Sequence, residues 1–297
     1  MVGSVYRNNM RRTHSRLAAA LAGLILFVIP AASAPQRIVS TFLCTDEYVF
    51  RLAPRDRIAA LSFEATDRHP VVSTIADAAK GVRTIRPSAE TVLALKPDLV
   101  VMYAGTMGEL RAQLSRAGVS VLDVPWANSL ADIRRVATIL GERLGAPQKA
   151  KAMLAAMDLE IARAKAAAQR PPVATLIYEP NGYATSGGVT QEIMRVSGLR
   201  DAAPALGLTR LDTLPVETVI ARAPELLILN GDPHAQTSRA ALVQHHPALR
   251  ALDGRATIAW AQLAPLLCPG PWSLETAETF TRLGARARAL ARRASRR

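Results

Sequence analysis

Aromatic residues make up only 4% of this 297-residue chain, and it holds just two cysteines, Cys44 and Cys268, and five histidines. The histidine supply is thin for a bare transition-metal site, which normally takes three or four His or carboxylate ligands. His245 and His246 precede Pro247 near a helix end and His14 lies in the N-terminal segment, so only His69 and His234 fall in loops suited to a ligand. No Gly-x-Ser-x-Gly elbow, phosphate loop or zinc-protease histidine pair occurs, so those enzyme chemistries have no local signature here. The apolar run near the N-terminus, Leu17 to Ile29, is shorter than the roughly 20 residues that a membrane-spanning helix needs.

That run has another reading. Arg7, Arg11, Arg12 and Arg16 precede it and Pro30-Ala31-Ala32-Ser33-Ala34 follows it, the charged, apolar and small-residue regions of a secretory signal peptide over residues 1–34. Cleavage after Ser33 or Ala34 is expected, and no cysteine follows the run to take a lipid. The formal charge of +13 falls to about +9 without the leader. Much of the excess lies in Arg282, Arg286, Arg288, Arg292, Arg293, Arg296 and Arg297, read as the solvated end of a last helix. An exported chain with no nucleic-acid module is not expected to bind nucleic acid.

The most informative pattern is an internal echo. Glu90 to Val101 (ETVLALKPDLVV) aligns without a gap on Glu217 to Ile228 (ETVIARAPELLI), 127 positions later. Each copy is an acid opening a short helix, a proline that stops it, and a β-rich apolar run. A repeat this long is no solenoid period and indicates two similar lobes. Strands alternating with helices predict an α/β fold of mainly parallel sheets, with lobes at 35–147 and 172–297. Between them 148–171, alanine-rich and free of glycine, predicts one long connecting helix.

With the echo, the helical connector and the leader, the chain resembles the iron-siderophore and cobalamin class of periplasmic substrate-binding proteins, the receptors of ABC importers. The resemblance covers essentially all of the exported sequence. It implies two α/β lobes that move little, a ligand in the groove between them and no catalysis. It also implies one surface glutamate per lobe docking on arginines of a permease dimer, and Glu90 and Glu217 occupy the matching positions. A carboxylate in the first turn of a helix is stabilised by the helix dipole, and two related by pseudo-twofold symmetry suit a partner with two arginine-bearing subunits.

In an open α/β sheet, ligands bind outside the carboxyl ends of the strands. That rule selects Phe42, Cys44, Thr45 and Asp46 after the first strand and Phe63, Arg68 and His69 after the second. Tyr103 and Trp126 follow later strands of the first lobe, and Asn181, Tyr183, His234, Trp260 and Trp272 come from the second. Aromatic faces suit large planar or chelated ligands. Cys44 and Cys268 are either a disulfide across the lobes, the default for a lone pair in an oxidising compartment, or thiols that touch ligand.

The expected function is capture of a metal chelate, a ferric siderophore or a corrinoid, for a permease, by a periplasmic monomer with no cofactor of its own. Haem or a free transition-metal ion is the alternative ligand, with His69, His234 and Asp46 as the metal's candidate ligands. A remoter alternative is an exported thiol enzyme with Cys44 as nucleophile.

Overall fold

The computed structural model describes residues 34–68, 72–234 and 238–294. The leader, apart from Ala34, and His69 lie outside the described residues. Five strands, β1 (Ile38–Ser40), β2 (Ile58–Ser62), β3 (Thr84–Ile85), β4 (Leu99–Tyr103) and β5 (Val121–Val124), form the first sheet in the order β3-β2-β1-β4-β5, every pairing parallel. Strand β4 shows why both faces are covered, because its residues are apolar without interruption. Leu99, Val101 and Tyr103 face α1 (Leu43–Leu52) and α4 (Leu130–Arg143). Val100 and Met102 face α2 (Ala89–Ala94) and α3 (Gly108–Arg116) on the other side. This is the buried parallel sheet that the alternating pattern predicts.

Helix α5 (Pro147–Ala167) follows and serves both halves, placing Ala150 in the first core and Met157 and Ala164 in the second. The second sheet contains β6 (Val173–Tyr178), β7 (Tyr183–Thr185), β8 (Leu199–Asp201), β9 (Asp212–Thr213), β10 (Leu226–Asn230) and β11 (Thr257–Ala261). Its order is β11-β10-β6-β7-β9, with β8 also pairing on β6. Strands β6, β8, β10 and β11 pair in parallel, whereas β7 runs antiparallel to β6 and β9. Leu226 and Ile228 meet α6 (Gly188–Val196) and α9 (Thr276–Ala294), while Leu227 and Leu229 meet α7 (Val216–Arg222) and the turns over 240–252. The short strands β7, β8 and β9 carry too little apolar pattern to be read from sequence.

The two echo segments share their stop and their link to the neighbouring strand. Each helix ends on a residue with positive φ placed just before its proline, Lys96 (φ 48) before Pro97 and Ala223 (φ 35) before Pro224. Proline disfavours the right-handed helical region for the residue that precedes it, which accounts for the stop. The acids that follow do matching work: Asp98 accepts hydrogen bonds from Gln36 N and Arg37 N beside β1, and Glu225 accepts one from Ala174 N in β6.

A second crossing, beyond the expected single helical connector, joins the halves. After β11 the chain passes through α8 (Ala264–Leu267) and a turn before α9. Leu263, Leu274 and Ala277 of this strap pack in the second core, but Cys268 and Trp272 pack in the first. Gly270 is required there, because a Cβ would lie 2.3 Å from the Trp272 ring. Among the described residues no helix is long and apolar enough to cross a membrane.

Candidate functional site

In the first sheet the order reverses between β1 and β4, the switch point at whose carboxyl end ligands of doubly wound sheets bind. Phe42, two residues past Ser40 at the end of β1, stacks on Tyr103 at the end of β4, with ring centroids 5.4 Å apart and planes at 26°. Trp126, just beyond β5, meets Tyr103 edge-on at 4.9 Å and 87°. Tyr103 is buried and Phe42 partly so, whereas Trp126 is 47% exposed. The three rings form a ledge whose exposed member is Trp126. Phe63, at the end of β2, is also exposed and carries the Arg86 guanidinium over its ring at 4.1 Å. Burial holds the Tyr103 phenol well above its ordinary pKa, so it stays neutral.

The second sheet has its own reversal between β6 and β10, and a polar pair stands there. Asn230, the last residue of β10, donates from Nδ2 to Glu179 Oε2 at 2.5 Å, and Thr185 donates to the other carboxylate oxygen at 3.0 Å. Burial raises the Glu179 pKa, and those hydrogen bonds oppose the rise. Neither Glu179 nor Asn230 was among the residues singled out from sequence. Both directly end or follow apolar strands, so the carboxyl-end rule that selected Tyr103 would have found them.

A hydrogen bond and a disulfide are among the contacts that join the two halves. Leu130 N, beyond β5, donates to Glu192 Oε2 of α6 at 2.7 Å. Cys44, in the first turn after β1, is bonded to Cys268, with Cα atoms 4.8 Å apart. Both cysteines are buried in the first core, and among the described residues no cysteine is free.

Several sequence-selected residues stand elsewhere. Thr45 and Asp46 do not line an open surface: α1 begins at Leu43, with Phe42 as its N-cap, and both side chains point inward at zero exposure. The helix N-terminus is instead served by Glu64, whose Oε2 accepts from Leu43 N at 3.1 Å. Thr45 meets Ser40 Oγ at 2.7 Å, and Asp46 takes the Ser62 N–H and hydroxyl at 3.1 and 2.5 Å. Desolvation pushes the Asp46 pKa up to about 7, against the pull of those hydrogen bonds. Cys44 is likewise a core residue, and so is Trp272, which packs edge-on against Tyr48 at 4.7 Å. Trp260 leaves the switch point too: it lies on the α7 side of its sheet and stacks on His245 at 5.0 Å, lining a shallow cavity of about 220 Å³ with Gln244 and Arg250.

The remaining second-lobe candidates are on the surface. Asn181 (φ 59) and Tyr183, 39% exposed, follow β6, and His234 is exposed four residues past the end of β10. Arg68 is exposed and ion-paired with Asp77. Glu90 and Glu217 are exposed in the first turns of α2 and α7. Among the described residues no group of three or more His, Cys, Asp and Glu is placed to hold a metal ion.

The sequence profile of a family described as periplasmic binding protein matches residues 38–255. An uncharacterised ABC transporter substrate-binding lipoprotein, YvrC of Bacillus subtilis (strain 168), is 29% identical over 130 residues. That match spans 43% of this chain and only 40% of the relative. Among solved structures, the periplasmic heme-binding protein RhuT from Roseiflexus sp. RS-1 superimposes with a TM-score of 0.65 at 23% identity, covering 87% of this chain and 100% of that one. The periplasmic vitamin B12-binding protein BtuF of Vibrio cholerae does so with a TM-score of 0.60 at 18% identity, covering 86% and 98%.

Proposed function

From the membership of this chain in the periplasmic binding protein family, we propose that it is the extracytoplasmic receptor of an ABC importer, holding a metal chelate between its lobes and passing it to a permease dimer. The observation that carries the ligand class is the ledge of Phe42, Tyr103 and Trp126 at the first switch point. A ring cluster with an exposed indole gives a large flat ligand apolar contact and ring–ring interaction, on the order of 0.5–1.5 kcal/mol per ring pair beyond area burial. A chelate whose metal is already saturated by its own donors needs such a surface more than it needs protein ligands. Ferric siderophores and corrinoids meet that description, and the net positive charge of the chain favours anionic ferric chelates.

At the second switch point, Glu179 and Asn230, with Asn181 and Tyr183 beyond β6, supply polar groups for the ligand's periphery. The chain is exported, its leader is removed, and it works as a monomer. Its covalent frame leaves Cys44 without a free thiol, which takes away the support for a thiol enzyme. Haem is the alternative ligand; the similarity to a heme-binding protein keeps it in view. The test is tryptophan fluorescence of the purified exported protein, titrated with cobalamin, haem and a panel of ferric siderophores, with free iron and zinc as controls and calorimetry to exclude inner-filter effects. Saturable quenching by one chelate identifies the ligand. A response to a free ion alone would replace this reading with that of a metal receptor.

A further inference from the structure

A second hollow, of about 450 Å³, lies away from both switch points. It opens where the end of α1 meets the start of α5, and its walls are Phe50, Arg51, Pro54, Arg55, Lys149 and Met153. Ten residues of helix put it about 15 Å from the ledge end of α1. Its volume falls in the range of about 300–1,000 Å³ usual for small-molecule sites. Among the described residues that line it are three cations and no carboxylate.

Two of those cations are held in place by aromatic rings. The Arg55 guanidinium lies 3.2 Å above the Phe50 ring and donates to Phe50 O, and the Arg51 guanidinium lies 4.3 Å above Trp272. A guanidinium that stacks by its face keeps N–H edges for a ligand, and its planar fork matches two oxygens of a phosphate or carboxylate. Arg51 is partly neutralised by Glu47 behind it. Among the described residues Arg55 and Lys149 have no ion pair, and partial burial together with the Arg51 charge lowers the Arg55 pKa. Cations crowded without a counter-charge are the condition that a bound anion relieves.

We propose that this hollow is a second binding site, for a phosphate group, separate from the groove. The group belongs either to a soluble phosphate compound or to a phospholipid headgroup, since both present the same oxygens.

Calorimetry of the purified exported protein with inorganic phosphate at constant ionic strength tests it, together with flotation on phosphatidylglycerol and phosphatidylcholine vesicles. The test variant is Arg55→Ala with Lys149→Ala, both exposed side chains; Arg282→Ala with Arg286→Ala in α9 is the control. A melting curve checks folding, and Arg55→Gln with Lys149→Gln stands in if the alanine variant is destabilised. The expected result is saturable phosphate binding that weakens about tenfold or more in the test variant and stays unchanged in the control. Phosphate binding without flotation identifies a soluble ligand, and flotation lost only in the test variant identifies a headgroup. Binding of neither probe, or equal binding by test variant and parent, overturns the proposal.

Discussion

Cys44 and Cys268, 224 positions apart, are joined inside the core of the first lobe, at the point where the strap after β11 leaves the second. The bond closes residues 44–268 into one loop and ties a switch-point turn to the opposite half. Thiol titration of the denatured protein should find no free thiol without reductant and two with it. Cys44→Ala with Cys268→Ala should lower stability by about 2–4 kcal/mol, read from denaturant midpoints. A variant that unfolds at the parent's midpoint would remove the staple from the account of the fold.

The three tryptophans should separate by role. Trp126→Ala removes a half-exposed ring of the ledge and should weaken chelate binding about tenfold with little change in melting temperature. Trp272→Ala empties a buried site beside Tyr48 and should cost about 3–5 kcal/mol of stability. Parallel binding and melting curves test both, and a Trp126→Ala variant with parental affinity would take the ledge out of the ligand site.

Glu90→Ala with Glu217→Ala should leave chelate affinity unchanged and abolish uptake by cells that carry the cognate importer. Both carboxylates are exposed on first turns and neither stabilises a core. Loss of binding by the purified double variant would contradict a docking role.

Asp46 predicts a pH dependence. Its folded pKa of about 7 lies above the ordinary carboxylate value of 3.8, so the folded state holds the proton more tightly than the unfolded chain. Its contribution is therefore most favourable below pH 4 and declines as pH rises towards 7. Asp46→Asn keeps the shape and cannot ionise. The stability difference, variant minus parent, should become more positive between pH 4 and pH 7 and level off above; a difference that is flat across this window would show that Asp46 ionises freely in the fold.

How much could be read in advance varied with the range of the interaction. A helix cap is a local signal: Ser129, directly before α4, accepts from Asp132 N at 3.0 Å. The echo was legible because the same backbone tasks recur in the same order: a first-turn acid, a stop before proline, and a carboxylate on the neighbouring strand. Thr45 and Asp46 misled for the converse reason. A Thr-Asp-Glu run looks like a cap and first turn, yet Glu64, 21 residues on from Leu43, serves the helix end and frees the run to be buried against Ser40, Ser62 and Thr74.

Sequence alone determined the α/β class, the two similar halves and the buried parallel strands, because periodicity, proline and first-turn acids act within a few residues. Tertiary structure alone decided which aromatic rings face outward. From sequence Trp126, Trp260 and Trp272 all read as lying just after strands or in loops, yet one crowns the ledge, one leans on His245 and one anchors the strap. A side chain's destination depends on which distant surface arrives opposite it, and that surface exists only once the two sheets and the strap have closed.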